Sequence, residues 1–157
     1  MDIQEVIDRL EIEEHLTKYA KAVDSEDWDL WRSLYTEDAR IDYSAVGGPT
    51  GNRVEISAWL EASMKLLPMK QHFITNIDYT ITGDTAEVRA MFYNPMILPG
   101  QTEKSDCGGW YRHQLVRTPE GWRTNDFQEE DVWFSATMKA GADADRAARE
   151  RKAERSG

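Results

Sequence analysis

"QHFITNIDYTITGDTAEVRAMFYNPM", residues 71–96, decides the fold, because here the spacing of apolar residues changes from helical to alternating. Phe73, Thr75, Ile77, Tyr79 and Ile81 fall on one face of an extended segment, and His72, Ile74, Asn76 and Asp78 on the other. Gly83-Asp84 supplies a hairpin turn. Beyond it Ala86, Val88, Ala90, Phe92, Asn94 and Met96 alternate with Thr85, Glu87, Arg89, Met91 and Tyr93. Two long antiparallel strands are predicted.

Upstream the period is helical. Ile3, Val6, Ile7, Leu10, Leu16, Tyr19, Ala20 and Val23 predict an amphipathic helix over residues 2–23. A short second helix is expected from Asp27-Trp28 to Tyr35, with Trp28, Trp31, Leu34 and Tyr35 on one side. "ARIDYS" (39–44) reads as a short strand and "GGPTGN" (47–52) as a loop. A third helix runs from Asn52 or Arg53 to Leu67, closed by Pro68. Downstream, residues 98–106 read as a loop and Cys107 to Thr118 as a third long strand. "PEG" (119–121) is a turn, and Trp122 to about Trp133 a fourth strand. Helices followed by antiparallel strands are an α+β order. A curved antiparallel sheet wrapped around three N-terminal helices forms a cone, and the space between them is where a ligand would sit.

Composition narrows the partners. The 157 residues suit a single domain, and 40% hydrophobic with 31% charged residues is a soluble globular balance. A net charge of −10 argues against nucleic acid and anionic membrane surfaces. No run approaches the ~20 apolar residues of a membrane span. "MDIQEVIDRLEIEEH" lacks the basic start of a signal peptide, and the single cysteine, Cys107, fits a reducing compartment, so a cytoplasmic location is expected. From Lys139 onward six basic and four acidic residues give +2, leaving −12 for residues 1–138. Residues 139–157 read as a charged, Ala-rich tail, frayed helix or disordered, beside a domain spanning 1–138.

Few motifs carry chemistry. His15, His72, His113 and Cys107 show no metal-ligand spacing, and GxGxxG, P-loop and GxSxG patterns are absent. No metal and no cofactor is expected. His72 opens an apolar-rich strand; it is either a satisfied rim residue or an acid–base group. His15 has Glu11 and Glu14 beside it and reads as a solvated surface residue, while His113 reads as a cross-strand contact. Asp24 is either the N-cap of a helix starting at Ser25 or a carboxylate that orients an imidazole. The Tyr43 phenol is either a strand aromatic or a donor to a carbonyl or water. Trp28, Trp31, Phe92, Met96, Trp110 and Phe127 are candidates to line an apolar pocket.

Taken together, "AVDSEDWDLWRSLYTEDARIDY", "QHF", a strand ending "NPM" and a closing "TPEGW" resemble the SnoaL-like branch of the nuclear transport factor 2-like superfamily. The pattern is most similar to the scytalone dehydratases and spans roughly residues 5–133. This resemblance implies a cone-shaped α+β barrel with a hydrophobic pocket. It places Asp24 and His72 on an acid–base dyad and Tyr43 on a tyrosine that holds water near a carbonyl. The implied activity is a cofactor-independent lyase (dehydratase-like) or isomerase acting on a small hydrophobic molecule, with or without a carbonyl. Two other roles stay open: a non-catalytic binder of small hydrophobic ligands, and a structural subunit like the small subunit of ring-hydroxylating dioxygenases. Relatives also imply a homo-oligomer, dimer or trimer. The chain departs from the dehydratase pattern at Val23, Met96, Gly109 and Tyr111, where the relatives carry tyrosine, histidine, serine and asparagine. A less polar substrate follows from those departures.

Overall fold

The computed structural model describes residues 2–155. The side chain of Asp2 accepts the Glu5 amide (2.8 Å) and opens α1 (Ile3–Ser25), which ends where Glu26 turns left-handed at φ 57°. Asp27 accepts the Leu30 amide (3.0 Å) and caps α2 (Trp28–Ser33). The chain then enters β1 (Tyr35–Asp42) directly. Tyr35 therefore begins a strand and does not end the helix, as suits the strand-favouring Tyr35-Thr36 pair. A 3-10 turn at Ser44–Val46 and the short β2 (Thr50–Gly51) lead to a capping box, in which Asn52 and Glu55 satisfy each other's amides at the start of α3 (Arg53–Met64). This helix stops short of the expected Leu67: after Lys65 the amides of Leu66 and Leu67 bond back three residues, to Ser63 O and Met64 O, so the chain tightens into turns before Pro68.

Five further strands follow: β3 (Met69–Lys70), β4 (Phe73–Thr82), β5 (Thr85–Ile97), β6 (Lys104–Thr118) and β7 (Gly121–Phe134). Ser135 then caps α4 (Ala136–Glu154), whose Met138 packs on the core. Among the described residues seven strands form one curled sheet in the order β2-β1-β7-β6-β5-β3, with β4 also paired to β5. The sheet is mixed, not purely antiparallel as expected, because β1 lies parallel to β7. No hairpin links those two strands, so no tight turn forces them antiparallel. The helices occupy the concave side, giving the α+β cone.

A bulge corrects the predicted faces of β4. Asn76 takes φ 50° and the register slips between Thr75 and Asp78. Ile74 is thereby partly buried together with Ile77, Tyr79 and Ile81, while Phe73 is 46% exposed. Asparagine tolerates the left-handed region better than most residues.

The buried face of α1 comprises Asp8, Ile12, His15, Leu16, Tyr19, Ala22 and Val23. Ile3, Val6, Ile7 and Leu10, counted above in its apolar stripe, stay at the surface. His15 is buried, contrary to the surface reading, because it shares the three- and four-residue spacing of Ile12, Leu16 and Tyr19. Its Nε2 meets Thr124 Oγ1 (2.9 Å), and His113 Nδ1 reaches the same hydroxyl from β6 (3.0 Å), the expected cross-strand contact. Ile12 and Leu16 belong to one core cluster with Ala86, Val88, Ala90, Leu115 and Trp122; the small side chains on β5 leave room for α1. Tyr19 and Val23 lie in a second, aromatic-rich cluster. No described helix is long and apolar enough to cross a membrane.

Candidate active site

One edge of the sheet is broken. Met69 and Lys70 pair with Ile97 and Met96, and pairing resumes with Phe73 opposite Tyr93. In the gap, Gln71 still donates its amide to Pro95 O (3.1 Å), but the His72 amide turns away to Asp24 Oδ2 (3.0 Å). Asp24 Oδ1 lies 2.6 Å from His72 Nδ1. Lys70 Nζ meets Glu26 Oε1 at 2.6 Å, a second tie between this edge and the end of α1. The helix runs through Asp24, and capping of the next helix falls to Asp27, so Asp24 is not an N-cap. A carboxylate at a helix C-terminus opposes the dipole; two hydrogen bonds from one histidine offset that cost.

The pairing fixes the imidazole chemistry. A carboxylate only accepts, so Nδ1 carries the proton in the neutral ring and Nε2 keeps its lone pair. The His72 side chain is 8% exposed and lines a cavity of about 240 Å³. Tyr19 and Val23 of α1, Trp59, Leu60 and Met64 of α3, and Met138 of α4 supply its other walls, with residues of β5, β6 and β7 as the floor. No lysine or arginine is among the described residues lining it. Tyr43, the first residue beyond β1, also lines it, with its hydroxyl 2.6 Å from that of Tyr19. Burial holds both phenols well above the usual tyrosine range, so they stay protonated. Cys107 borders the same space, but burial pushes its thiol up to about 12. It is no thiolate nucleophile at neutral pH.

Among the apolar candidates Met96 lines the cavity. Trp28, Trp31, Phe92 and Phe127 belong to the core behind it. Phe92 stacks on Tyr111 (ring centroids 4.2 Å apart), and Phe127 packs on Tyr43 (5.1 Å). Trp31 packs on Tyr35 at 4.4 Å. Trp110 lies away from the cavity under the Arg89 guanidinium, 4.2 Å from its ring centre. Gly109 has a packing reason: a Cβ there would lie 2.8 Å from Glu130 O and 3.0 Å from the Phe92 ring. The serine of the dehydratase pattern cannot be placed there without disturbing the Phe92–Tyr111 stack.

Glu129, on β7, escaped the reading of the sequence. It is 5% exposed, lines the cavity, and is pushed up to about 8 by burial, with the charge of Asp42 adding to the shift. The signal was its two-residue offset from Phe127 inside the acidic stretch "FQEED", which puts both on the inward face. Among the described residues no three of His, Cys, Asp and Glu converge as a metal site would require.

Residues 4–128 match the SnoaL-like domain. The chain belongs to the SnoaL-like family. The SnoaL-like protein is 38% identical over 124 residues to an uncharacterized protein of Mycobacterium tuberculosis, Rv2910c, across 78% of this chain and 84% of that one. It is similar to the crystal structure of Kfla4162 from Kribbella flavida, with 28% identity, a TM-score of 0.76, and 84% and 95% of the two chains covered. It shares its fold with hexachlorocyclohexane dehydrochlorinase LinA-type3 from Novosphingobium barchaimii LL02, at 15% identity, a TM-score of 0.72, and 87% and 95% coverage.

Proposed function

We propose that this SnoaL-like protein is a cofactor-independent lyase, dehydratase-like, or an isomerase, acting on a small hydrophobic molecule that carries a carbonyl. The observation that carries this reading is the Asp24–His72 pair at a cavity wall, with Nδ1 bound to the carboxylate at 2.6 Å. Nε2 of His72 takes a proton from the carbon next to the substrate carbonyl, and Asp24 holds the ring and stabilises the imidazolium. Tyr43 donates to the carbonyl oxygen, directly or through a water. In a dehydration, the C–H electron pair forms the new C=C bond as the C–O bond breaks, and the hydroxyl leaves with the imidazolium proton as water. In an isomerisation the same proton returns to a different carbon. Elimination is also the reaction in the name of the fold neighbour LinA-type3, a dehydrochlorinase.

The test is turnover of a panel of small β-hydroxyketones by the wild type and by His72→Ala. A loss of about 10²–10⁴ in kcat is expected for the variant. Full turnover by His72→Ala would remove the assignment. Tight binding of the panel without any turnover would leave a binding protein.

A further inference from the structure

The cavity holds a second polar group that the dyad does not use. Glu129 stands directly across the β6–β7 pair from Tyr111, and its Oε2 is buried with no hydrogen-bond partner. Asn94, on β5, is 4% exposed; its Nδ2 donates to Tyr111 Oη (3.1 Å), and its Oδ1 is likewise buried and unpartnered. Tyr111 thus bonds Asn94 and stands opposite Glu129 in the strand pairing; Asn94 and Glu129 each keep one unsatisfied polar atom, and all three residues line the cavity that His72 enters. Leaving a buried polar atom unpaired costs about 1–3 kcal/mol. Such groups in a cavity wall are explained most simply by a partner that arrives with a ligand.

We propose that Glu129 and Asn94 form a donor–acceptor clamp for an uncharged ligand: Glu129, as a neutral carboxylic acid, donates to a ligand carbonyl oxygen, and Asn94 Oδ1 accepts from a ligand hydroxyl. The inference rests on the reading of this cavity as the ligand site and adds what selects its occupant. A ligand carboxylate meets no lysine or arginine in the wall and raises the charge facing Glu129, so anions are excluded. The acid is protonated at neutral pH because burial, then the Asp42 charge, lifts it to about 8. Ionisation of Glu129 removes its donor and opens the clamp.

Other groups around Glu129 hold their charge over that range. Asp42, at the end of β1, is kept down at about 2, chiefly by the Ser44 hydroxyl and amide. Tyr19 on α1, Tyr35 on β1, Tyr43 and Tyr111 stay protonated through burial, as does Cys107 at about 12. His72 is the remaining titratable group in the cavity wall, and one arm of the test removes it.

The experiment measures binding of 2-hydroxyacetophenone, a neutral hydroxyketone, and of mandelate, its anionic counterpart, to wild type, Glu129→Gln and His72→Ala. For wild type and His72→Ala, affinity for the hydroxyketone should fall about tenfold between about pH 7 and about pH 9, following the neutral fraction of Glu129. Glu129→Gln, whose amide still donates, should bind with little change over the same range. Mandelate should bind none of the three. A pH-independent wild type, a Glu129→Gln variant that keeps the wild-type fall, preferred binding of mandelate, or no binding of the hydroxyketone at any pH would each overturn the clamp. Two ligand-free readouts accompany it. Infrared difference spectra at neutral pH should show a protonated-carboxyl stretch that Glu129→Gln lacks. The stability advantage of Glu129→Gln over wild type should also grow from about pH 5 to about pH 8, because unfolded Glu129 ionises near its ordinary value and the folded residue only near 8. Absence of the infrared band also overturns the inference. Full turnover by His72→Ala, or no turnover by the wild type, with the clamp pattern intact would remove the proposed reaction and leave this inference standing.

Discussion

At the scale of single residues, the dyad separates orientation from shape. Asp24→Asn keeps an oxygen for the His72 amide but offers the ring an amide in place of a carboxylate. The imidazole then loses the acceptor that fixes Nδ1–H, as in triads where this change alters the tautomer. A fall in kcat of about 10²–10⁴ is expected on any hydroxyketone the wild type turns over, with a displaced pH–rate profile. The melting temperature should move only a few degrees; a collapse of stability instead would make Asp24 a structural residue. Asp24, His72 and Tyr43 were legible in the sequence because a recurring order of short motifs carried them. Glu129 was not. Nothing in "FQEED" distinguishes a buried acid from its solvated neighbours except strand parity, and parity becomes readable only once Phe127 is known to face inward.

At the scale of elements, helical and strand periodicity found the first three helices and the four long strands, while α4 lay largely in the charged stretch read as a tail; elsewhere errors lie where one residue breaks the period. Asn76 is one such place: an extra residue in β4 returns the following side chains to the concave face, and alternation read across it goes wrong from Phe73 to Thr75. His15 is a failure of another kind, since its chemistry suggested the surface while its spacing pointed to the core. Burial lowers His15 to about 3 and His113 well below its usual value, so both are neutral when folded. Unfolded, they take up protons below about 6.5. The native state binds fewer protons than the unfolded chain in that window, so their contribution to stability is full above it and is lost as pH falls through it. In the Glu129→Gln background, which removes the opposite slope of that acid, urea denaturation should show a loss of stability from pH 7 to pH 5. Adding His15→Gln should flatten that slope. An unchanged slope would mean that the histidine pair does not set the acid limit.

At the scale of the whole molecule, the two ends of the fold are held differently. The cavity end relies on aromatic packing, with Tyr19, Tyr43, Tyr111 and Phe127 in mutual contact. The other end relies on an ion pair: Arg117 donates to both carboxylate oxygens of Asp8 (2.8 and 2.9 Å), while its Nε reaches Asp84 (2.9 Å). Asp8 is 3% exposed, and its carboxyl is held below the usual range, first of all by Arg117. Asp8→Ala should cost about 1.5–3 kcal/mol in chemical denaturation, the usual value of hydrogen bonds to a charged group. A cost under about 0.5 kcal/mol would show the pair to be ordinary surface electrostatics. This contact joins the first turns of α1 to the far end of β6, a pairing that local sequence patterns do not reveal.

The parallel pairing of β1 with β7 bears on how the chain is made. During synthesis residues 35–42 leave the ribosome well before the strand they lie against, residues 121–134. The gap of about 80 residues takes on the order of 4–16 s at typical elongation rates. For that interval Ile41 lacks the strand it pairs with, and Tyr19 and Tyr35 lack the Phe127 ring they pack against. Met138 closes the cavity later still, so a nascent chain can hold no ligand in a finished pocket until α4 has begun to emerge.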